Sequence, residues 1–230
     1  MSKHNLALLA EAARLLKPLL GELVFVGGST TALLITDKAA AEVRPTYDVD
    51  AIAEIGSYAA YADFSERLRR CGFTEETGEG APICRWRQRK TILDVMPLDA
   101  KILGFSNVWY KPALDSAVIH DLEADLSVRV VTAVYFCATK LEAFAGRGKK
   151  DYQSSHDLED LMAVVDGRAE LVEEIQAAEA DVRSYIVTEV HKLLAIREFL
   201  DALPGYLLPD EASQARVSIL FGRLKKIAAL

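Results

Sequence analysis

The spacing of apolar residues changes along the chain. The first part contains short apolar runs bounded by glycine, proline or charged residues, which is the pattern of buried strands. These runs predict strands at residues 23–26, 48–55, 83–88, 90–98 and 127–134. Between them, apolar residues recur at three- and four-residue steps, which predicts helices at 5–20, 29–37 and 57–71. This part of the chain therefore alternates between strands and helices.

From residue 133 onward the apolar pattern is helical throughout. It predicts helices at 133–147, 155–168, 170–203 and 211–230. The last of them follows a break that runs from Pro204 to Pro209. We interpret the long helix at 170–203 as the core of a helical bundle rather than as a dimer surface. The change of pattern predicts two domains, residues 1–132 and 133–230, packed against each other without a linker.

One apolar run, VFVGGSTTALL at residues 24–34, is interrupted by two glycines and three hydroxyl-bearing residues. A strand that ends in Gly27 and Gly28 lets the backbone approach a phosphate closely, because neither residue has a side chain. Ser29, Thr30 and the start of the next helix then offer N–H and O–H donors to a polyphosphate. Taken alone, the same pattern also suits an ordinary helix cap.

Three aspartates fall on the predicted strands. Asp48 and Asp50 are two residues apart in RPTYDVD, so they project to one face of a strand and repel each other unless a cation lies between them. The alternative for this pair is a strand-end turn. Asp94 interrupts the apolar strand TILDVMPL, which suits a group held in a cleft. Because carboxylate oxygens favour Mg²⁺ or Mn²⁺, we predict that Asp48, Asp50 and Asp94 are metal ligands and catalytic residues.

The glycine turn and the three acids explain each other as parts of one site. A triphosphate on the turn and a metal on the carboxylates are what nucleotidyl transfer requires. The order GGS, RPTYDVD, LDV resembles the nucleotidyltransferase fold of the DNA polymerase β superfamily. The runs RPTYDVD and KLEAF are most similar to the AbiEii-like group of bacterial nucleotidyltransferases. The resemblance extends over roughly residues 20–165.

This resemblance implies a fold and an activity. The fold is an α/β nucleotidyltransferase domain, with a mixed sheet flanked by helices, followed by a C-terminal helical bundle. The activity is Mg²⁺-dependent transfer of a nucleoside monophosphate from a nucleoside triphosphate (NTP) to a hydroxyl of RNA, such as tRNA, or of a protein. Many members of the group are toxins, so a cognate antitoxin is an expected partner. The alternatives are a non-catalytic binding protein on the same fold and a small-molecule nucleotidyltransferase of the kind that modifies antibiotics.

The resemblance also implies roles for residues in the second half of the chain. Lys140 would lie near the triphosphate, and Arg147 with Lys149 or Lys150 near the phosphates or the acceptor. Asp151 and Asp157 would pin the helices or complete the site. The predicted nucleotide-binding residues are therefore Gly27, Gly28, Ser29, Thr30, Lys140, Arg147, Lys150 and Asp151.

Simpler interpretations of these second-half residues stay open. Lys140 also suits a lysine whose aliphatic stem lies on the core, and Arg147 an ordinary surface cation. Asp157 and Asp160 also suit first-turn acids of a helix capped by Ser154 or Ser155. The insert QSS before His156 loosens the register of this acidic motif.

Composition and charge exclude several classes of protein. The net charge of −7 argues against a nucleic-acid coat protein, since such proteins bind phosphate through clustered Lys and Arg. Local basic segments at 65–70, 85–90 and 146–151 could still form a groove, or could be solvated faces. The three cysteines are scattered singly, which predicts neither disulfides nor a zinc site but buried thiols. With no long apolar run and no signal-peptide pattern, we expect a cytoplasmic protein that does not enter membranes.

Overall fold

The computed structural model describes residues 3–230, which separate into two compact units. The sheet unit comprises residues 3–30 and 45–132. The helical unit comprises residues 31–44 and 133–230. The segment 31–44 is thus grouped with the second half of the chain, although it lies early in the sequence.

Seven strands of the described chain form one mixed sheet in the sheet unit. The strands are β1 (Leu23–Val26), β2 (Val49–Ala53), β3 (Thr74–Glu75), β4 (Arg85–Gln88), β5 (Thr91–Pro97), β6 (Val118–Glu123) and β7 (Leu126–Val130). Their order across the sheet is β3-β4-β5-β2-β1-β7-β6. The β2/β5 and β1/β7 pairs are parallel, and the other four neighbouring pairs are antiparallel. The predicted fold class, a mixed sheet with helices followed by a helical part, is confirmed.

Twelve α-helices are formed by the described residues. Those of the sheet unit are α1 (Lys3–Leu15), α3 (Tyr58–Arg70), α4 (Ala100–Leu103) and α5 (Tyr110–Asp115). Those of the helical unit are α2 (Thr31–Leu34), α6 (Ala133–Arg147), α7 (His156–Gly167), α8 (Leu171–Ala177), α9 (Ala180–Leu194), α10 (Arg197–Ala202), α11 (Glu211–Ala215) and α12 (Val217–Ala228). Two 3-10 helices complete the set, Lys17–Glu22 and Leu203–Tyr206. None of the helices in residues 3–230 combines the length and apolar character needed to cross a membrane.

Helix α1 packs on β2, β5, β6 and β7 through an apolar face that includes Leu9, Ala12 and Ala13. The predicted helix at 5–20 ends earlier, at Leu15. Pro18 lies at the start of the 3-10 helix that follows, and proline cannot donate the backbone hydrogen bond that would continue an α-helix. In the sheet itself, Leu23 and Phe25 of β1 are fully buried.

The predicted single helix at 170–203 is wrong, because the structure has three helices there: α8, α9 and α10. The chain becomes extended at Ala178, where α8 ends. Arg183 of α9 reaches back and donates hydrogen bonds to the carbonyls of Gln176 and Ala178. These bonds satisfy carbonyl groups that the end of a helix leaves without partners, which stabilises the break. An apolar period continues across the break, so periodicity alone does not reveal it.

Helix α2 is also shorter than the predicted helix at 29–37. The amides of Thr36 and Asp37 donate to the carbonyl of Gly167 in α7, at 3.0 and 2.9 Å, instead of to carbonyls one turn earlier. Arg168 in turn donates to the carbonyl of Leu34. These tertiary bonds end the helix and tie residues 31–44 to the helical unit. Two short strands, β3 and β6, were not predicted individually.

Candidate active site

Three charged side chains stand in a row across the middle of the sheet. Asp50 of β2 lies directly opposite Asp94 of β5 in the parallel ladder. Arg85 of β4 lies directly opposite Asp94 in the antiparallel ladder. Residues that are opposite each other in a sheet project to the same face. The row is therefore Arg85, Asp94, Asp50, and Asp94 in its centre is only 7% exposed.

The row continues to the glycine turn through a close contact. Val26 of β1 is opposite Asp50, and Gly27 follows it with a φ of 71°. A Cβ atom on Gly27 would stand 2.0 Å from Oδ2 of Asp50, which no real side chain tolerates. Glycine is required here both for the left-handed backbone and for the space that the Asp50 carboxylate fills. The sequence suggested phosphate approach as the reason for this glycine, whereas the Asp50 carboxylate is what lies against it in the structure.

Replacing Gly27 therefore tests whether the Asp50 carboxylate needs the space that the missing side chain leaves. We expect Gly27→Ala to lower the free energy of unfolding by about 3 kcal/mol: about 1–2 kcal/mol for an alanine in the left-handed region, with the rest from displacing Asp50. Gly104→Ala is the matched control, because Gly104 has a φ of 81° and nothing near its missing side chain. The Gly104→Ala variant should lose only the about 1–2 kcal/mol that an alanine in the left-handed region costs. Urea unfolding followed by circular dichroism measures both, and equal losses would contradict the contact.

Asp48 lies one residue before β2 and is held by hydrogen bonds. The Thr46 hydroxyl donates to its Oδ1 atom at 2.9 Å. The backbone N–H of Thr46 in turn donates to Oδ1 of Asn5 at 3.2 Å, and Nδ2 of Asn5 donates to the carbonyl of Gly28 at 3.2 Å. Asn5 is fully buried in α1. This one side chain therefore joins the glycine turn to the segment that carries Asp48.

Asn5 was not among the predicted site residues, although the sequence contains a sign of its role. In KHNLALL, Asn5 is a polar residue on the face of α1 that is otherwise apolar. A buried amide is costly unless its hydrogen bonds are made, so an asparagine in such a place points to a specific polar partner. The partners lie 23 and 41 residues away in the chain, so they could not be named without the fold.

Arg85 was also missed as a site residue, because its segment was interpreted as a strand with a basic side that forms a groove or a solvated face. Its Nε atom donates to Oδ1 of Asp94 at 2.8 Å, and its Nη2 atom donates to Oδ2 of Asp94 at 2.7 Å. The same Nη2 atom donates to Oδ2 of Asp48 at 2.9 Å. The hydrogen bonds to Asp94 raise the pKa of the Arg85 guanidinium above its ordinary value. One cation of the chain thus already joins two of the three acids.

The donor chemistry of this site fits a hard divalent cation, since Asp48, Asp50 and Asp94 bring carboxylate oxygens from neighbouring segments to one face. In the conformation described for residues 3–230, however, no three or more histidine, cysteine, aspartate or glutamate side chains are grouped as metal ligands. Arg85 stands between Asp48 and Asp94, where a shared cation would be bound.

Cys84 is next to Arg85, and acids of the candidate site affect the pKa of its thiol. Burial raises the pKa of its thiol to about 12, and the negative charges of Asp94 and Asp50 add to the effect. The thiol therefore stays protonated at neutral pH and is a poor nucleophile. Cys137 is buried as predicted, whereas Cys71 is partly exposed at the end of α3. In the described residues all three cysteines are free.

Two of the three hydroxyl groups of the glycine turn, those of Ser29 and Thr30, are directed at carbonyls inside the turn. Ser29 and Thr30 are fully buried. The Thr30 hydroxyl donates to the carbonyl of Gly27 at 2.9 Å, and the Ser29 hydroxyl approaches the carbonyl of Val26 at 3.4 Å. The backbone N–H of Thr30 also donates to Gly27, at 3.1 Å. In this conformation these groups stabilise the turn rather than present donors to a ligand.

The predicted second-half residues belong to the helical unit. Three of them, Lys140, Arg147 and Asp157, are part of an ion cluster between α6 and α7. Nζ of Lys140 lies 3.2 Å from Oδ1 of Asp157 and 2.6 Å from Oδ2 of Asp160. Arg147 binds Asp157 through two hydrogen bonds of 2.9 Å. Arg44 binds both oxygens of Asp160, at 2.8 and 3.0 Å. We call these five residues the ion cluster.

The ion cluster is buried at its centre, with Lys140 8% and Asp160 1% exposed. Burial raises the pKa of Asp157, but the hydrogen bonds of Arg147 and the charge of Lys140 outweigh it, so the pKa lies below its ordinary value. Asp157 therefore remains ionised at neutral pH. Lys140 is neither a simple snorkelling lysine nor an exposed cation, because its ammonium is bound by two carboxylates.

The remaining predicted residues lie on the loop between α6 and α7. Lys150 is exposed, and Oδ1 of Asp151 accepts the amides of Gln153 and Ser154. Ser155 caps α7 by accepting the amide of Leu158, as one of the simpler interpretations proposed. His156 is exposed and its Nδ1 atom lies 3.3 Å from Glu159. Asp151 thus organises the loop rather than joining the ion cluster.

Many arginines of the basic segments are neutralised locally. Arg67 pairs with Glu22, Arg69 with Glu75, and Arg87 with Glu76. The segment at 85–90 alternates as predicted for a strand with one charged side, since Trp86 between Arg85 and Arg87 is buried. A cavity of about 570 Å³ in the sheet unit contains none of the three acids. It is lined by Gly56, Leu98, Asp99, Ala100, Ser106, Asn107, Val108 and Lys111.

Comparison with known proteins identifies the fold. No protein-family description and no curated protein matches the sequence. An antigenic nucleotidyltransferase-like protein from Paracoccidioides brasiliensis is structurally similar, with a TM-score of 0.50 and 16% identity, over 87% of this chain and 94% of that one. JHP933 from Helicobacter pylori is similar with a TM-score of 0.51 and 11% identity, over 100% of this chain and 94% of that one. The chain therefore has a nucleotidyltransferase-like fold.

Proposed function

We propose that this protein is a divalent-metal-dependent nucleotidyltransferase. It would transfer a nucleoside monophosphate from an NTP to an acceptor hydroxyl. The observation that carries the proposal is that Gly27, directly after β1, lies against Asp50 of β2, which is opposite Asp94 of β5. This arrangement occurs on a nucleotidyltransferase-like fold. Gly-Gly turns and single strand aspartates are common separately, and it is their juxtaposition here that supports the proposal.

In the proposed site, Asp48, Asp50 and Asp94 would hold Mg²⁺ or Mn²⁺. When bound, the metal would bind the triphosphate and lower the pKa of the acceptor hydroxyl. The hydroxyl oxygen would form a bond to the α-phosphorus, the bond from that phosphorus to the bridging oxygen would break, and pyrophosphate would leave. Asp94 would accept the hydroxyl proton once Arg85 releases its oxygens.

The acceptor that we propose is RNA, such as tRNA, or a protein hydroxyl. Lys149 and Lys150 are exposed on the loop after α6, which favours a polyanionic acceptor. On the likeness of RPTYDVD and KLEAF we further place the protein in the AbiEii-like group and propose that it is a toxin with a cognate antitoxin. For Lys140 we propose a structural role in place of contact with the triphosphate, since two acids bind it.

One observation favours a second candidate function. Arg85 gives two of the three acids a counter-ion from the chain itself, as expected for a non-catalytic protein that keeps the fold and works through a partner. The two candidates differ in whether label from an NTP reaches an acceptor.

The test is incubation of the purified protein with each NTP labelled with ³²P at the α-position, Mg²⁺, and total cellular RNA or cellular protein. We expect label from one NTP to become attached to an acceptor, and we expect Asp50→Asn, prepared identically, to serve as a blank. The same NTP labelled at the γ-position should transfer nothing, which separates nucleotidyl from phosphoryl transfer. No transfer to either acceptor pool, in Mg²⁺ or in Mn²⁺, would overturn the proposed activity and favour the non-catalytic candidate.

A further inference from the structure

Arg85 holds two acids of the candidate site at once. It approaches Asp94 with a two-pronged pair of hydrogen bonds of 2.8 and 2.7 Å, and it reaches Asp48 with a third of 2.9 Å. Such a bidentate guanidinium–carboxylate pair is the strongest common form of ionic hydrogen bond. Arg85 is thus more than a neighbour of the acids, because three of its N–H bonds are aimed at their oxygens.

The strand register makes this contact a built feature of the sheet. Arg85 and Asp94 are opposite each other on antiparallel strands, and Asp94 and Asp50 are opposite each other on parallel strands. The contact is also shielded, since the side chain of Arg85 is 21% exposed and that of Asp94 10%. It therefore differs from the exposed ion pairs of the same segment, such as Arg87 with Glu76, in which the Arg87 side chain is 44% exposed.

A divalent ion at this site would need the oxygens that Arg85 holds. Both oxygens of Asp94 and one oxygen of Asp48 accept hydrogen bonds from Arg85. A metal on these carboxylates would also lie close to the guanidinium, and two cations at that separation repel each other strongly in a shielded site. Loss of oxygens and repulsion act in the same direction, since both weaken metal binding while Arg85 stays in place.

We propose that Arg85 is an internal counter-ion that competes with the divalent metal for Asp48 and Asp94, so that the metal binds only when the guanidinium leaves. This inference rests on the proposed function, which supplies the metal. It assigns Arg85 a positioning role: in the metal-free protein it keeps two mutually repelling carboxylates together. In such a protein Asp48 and Asp94 are compensated by Arg85 before the metal binds and by the metal afterwards.

The test uses Mn²⁺ alone as the probe, with no nucleotide. Mn²⁺ affinity is measured by calorimetry and by the loss of the free Mn²⁺ signal in electron paramagnetic resonance. We expect Arg85→Gln to bind Mn²⁺ at least about tenfold more tightly than the wild-type protein, because a neighbouring positive charge is removed. Arg87→Gln is the matched control, since it removes an arginine of the same strand whose partner is Glu76, and its Mn²⁺ affinity should equal that of the wild-type protein.

Thermal unfolding provides a second readout that does not depend on activity. In EDTA, Arg85→Gln should unfold at a lower temperature than the wild-type protein, since the two acids lose their counter-ion. Adding Mn²⁺ should raise the unfolding temperature of Arg85→Gln back to that of the wild-type protein. If Arg85→Gln does not fold, Arg85→Lys keeps the charge but loses the two-pronged contact, and it should bind Mn²⁺ with an affinity above that of the wild-type protein.

The outcomes separate this inference from the proposed function. If the wild-type protein binds Mn²⁺ and the folded Arg85 variants bind it no more tightly, the competition is overturned while the metal site stands. If neither wild-type protein nor variants bind Mn²⁺ at millimolar concentration, the competition and the metal-dependent function are both overturned. Tighter binding in the Arg85 variants, with no change in Arg87→Gln, supports the competition even if no acceptor is ever labelled.

Discussion

Asp50→Asn is expected to slow nucleotidyl transfer about 100- to 1,000-fold, which is the loss typical of removing a group that stabilises transition-state charge. Asp50 is the acid that joins the two halves of the candidate site, because it lies against Gly27 on one side and opposite Asp94 on the other. Asparagine has nearly the same shape, so it fits the space beside Gly27. It lacks the charge that would hold a metal and with it the triphosphate.

The fold should survive the same substitution. Removing one of three neighbouring acids relieves repulsion, so the free energy of unfolding should stay the same or rise slightly. The rate is measured with the α-labelled NTP and acceptor that the wild-type protein uses, and stability by urea unfolding. Asp63→Asn is the matched control, because Asp63 lies on α3 with a side chain 74% exposed. A rate for Asp50→Asn within tenfold of the Asp63→Asn rate would remove Asp50 from the catalytic set.

Asp160→Ala is expected to lower the free energy of unfolding by about 3–5 kcal/mol, the usual result of removing one partner from a buried ion pair. Asp160 is nearly inaccessible and binds both Lys140 and Arg44. Without it, Asp157 is the one acid left among the five residues of the ion cluster, and the positive charge of the cluster exceeds the negative charge by more. The contacts that join α6, α7 and the segment 31–44 would be weakened together.

The control for this prediction lies one residue earlier. Glu159 is on the same helix, and its side chain is 41% exposed, 3.3 Å from His156 and at a longer 3.7 Å from Arg44 at the edge of the ion cluster. Glu159→Ala should change the free energy of unfolding by less than about 1 kcal/mol, because exposed ion pairs contribute little. A double variant, Lys140→Met with Asp160→Leu, should recover much of the lost stability by removing both charges. Similar losses in Asp160→Ala and Glu159→Ala would show that the ion cluster does not stabilise the helical unit.

Different parts of the site were predictable from sequence to different degrees. The pattern predicted that Asp94 lies inside a strand and that Gly27 follows one, and both are observed. Sequence analysis assigned Lys140 and Arg147 by resemblance alone, and the structure instead gives both of them acidic partners on α7. Those partners are 10 to 20 residues away along the chain, beyond the reach of any periodicity argument.

The predicted ends of helices were wrong where hydrogen bonds from elsewhere in the fold act on the backbone. The helix predicted at 29–37 stops because Gly167 accepts amides from Thr36 and Asp37. The helix predicted at 170–203 is divided where Arg183 binds the carbonyls at the end of α8. In both places the apolar pattern continues, while a hydrogen-bond partner from elsewhere takes over the backbone. Periodicity reports which face is buried, and it does not report which donor satisfies a carbonyl.

The sequence by itself determined that the first part of the chain combines strands with helices, that the second half is all-helical, and that three acids and a glycine turn are present. These follow from local properties: side-chain period, chain flexibility and residue chemistry. Only the tertiary structure decided that Asp50 lies against Gly27, that Asn5 joins two loops, and that Arg85 is the cation bound to Asp48 and Asp94. The reason is that strand order and register bring together residues far apart in the chain, and register is set by the packing of the whole sheet.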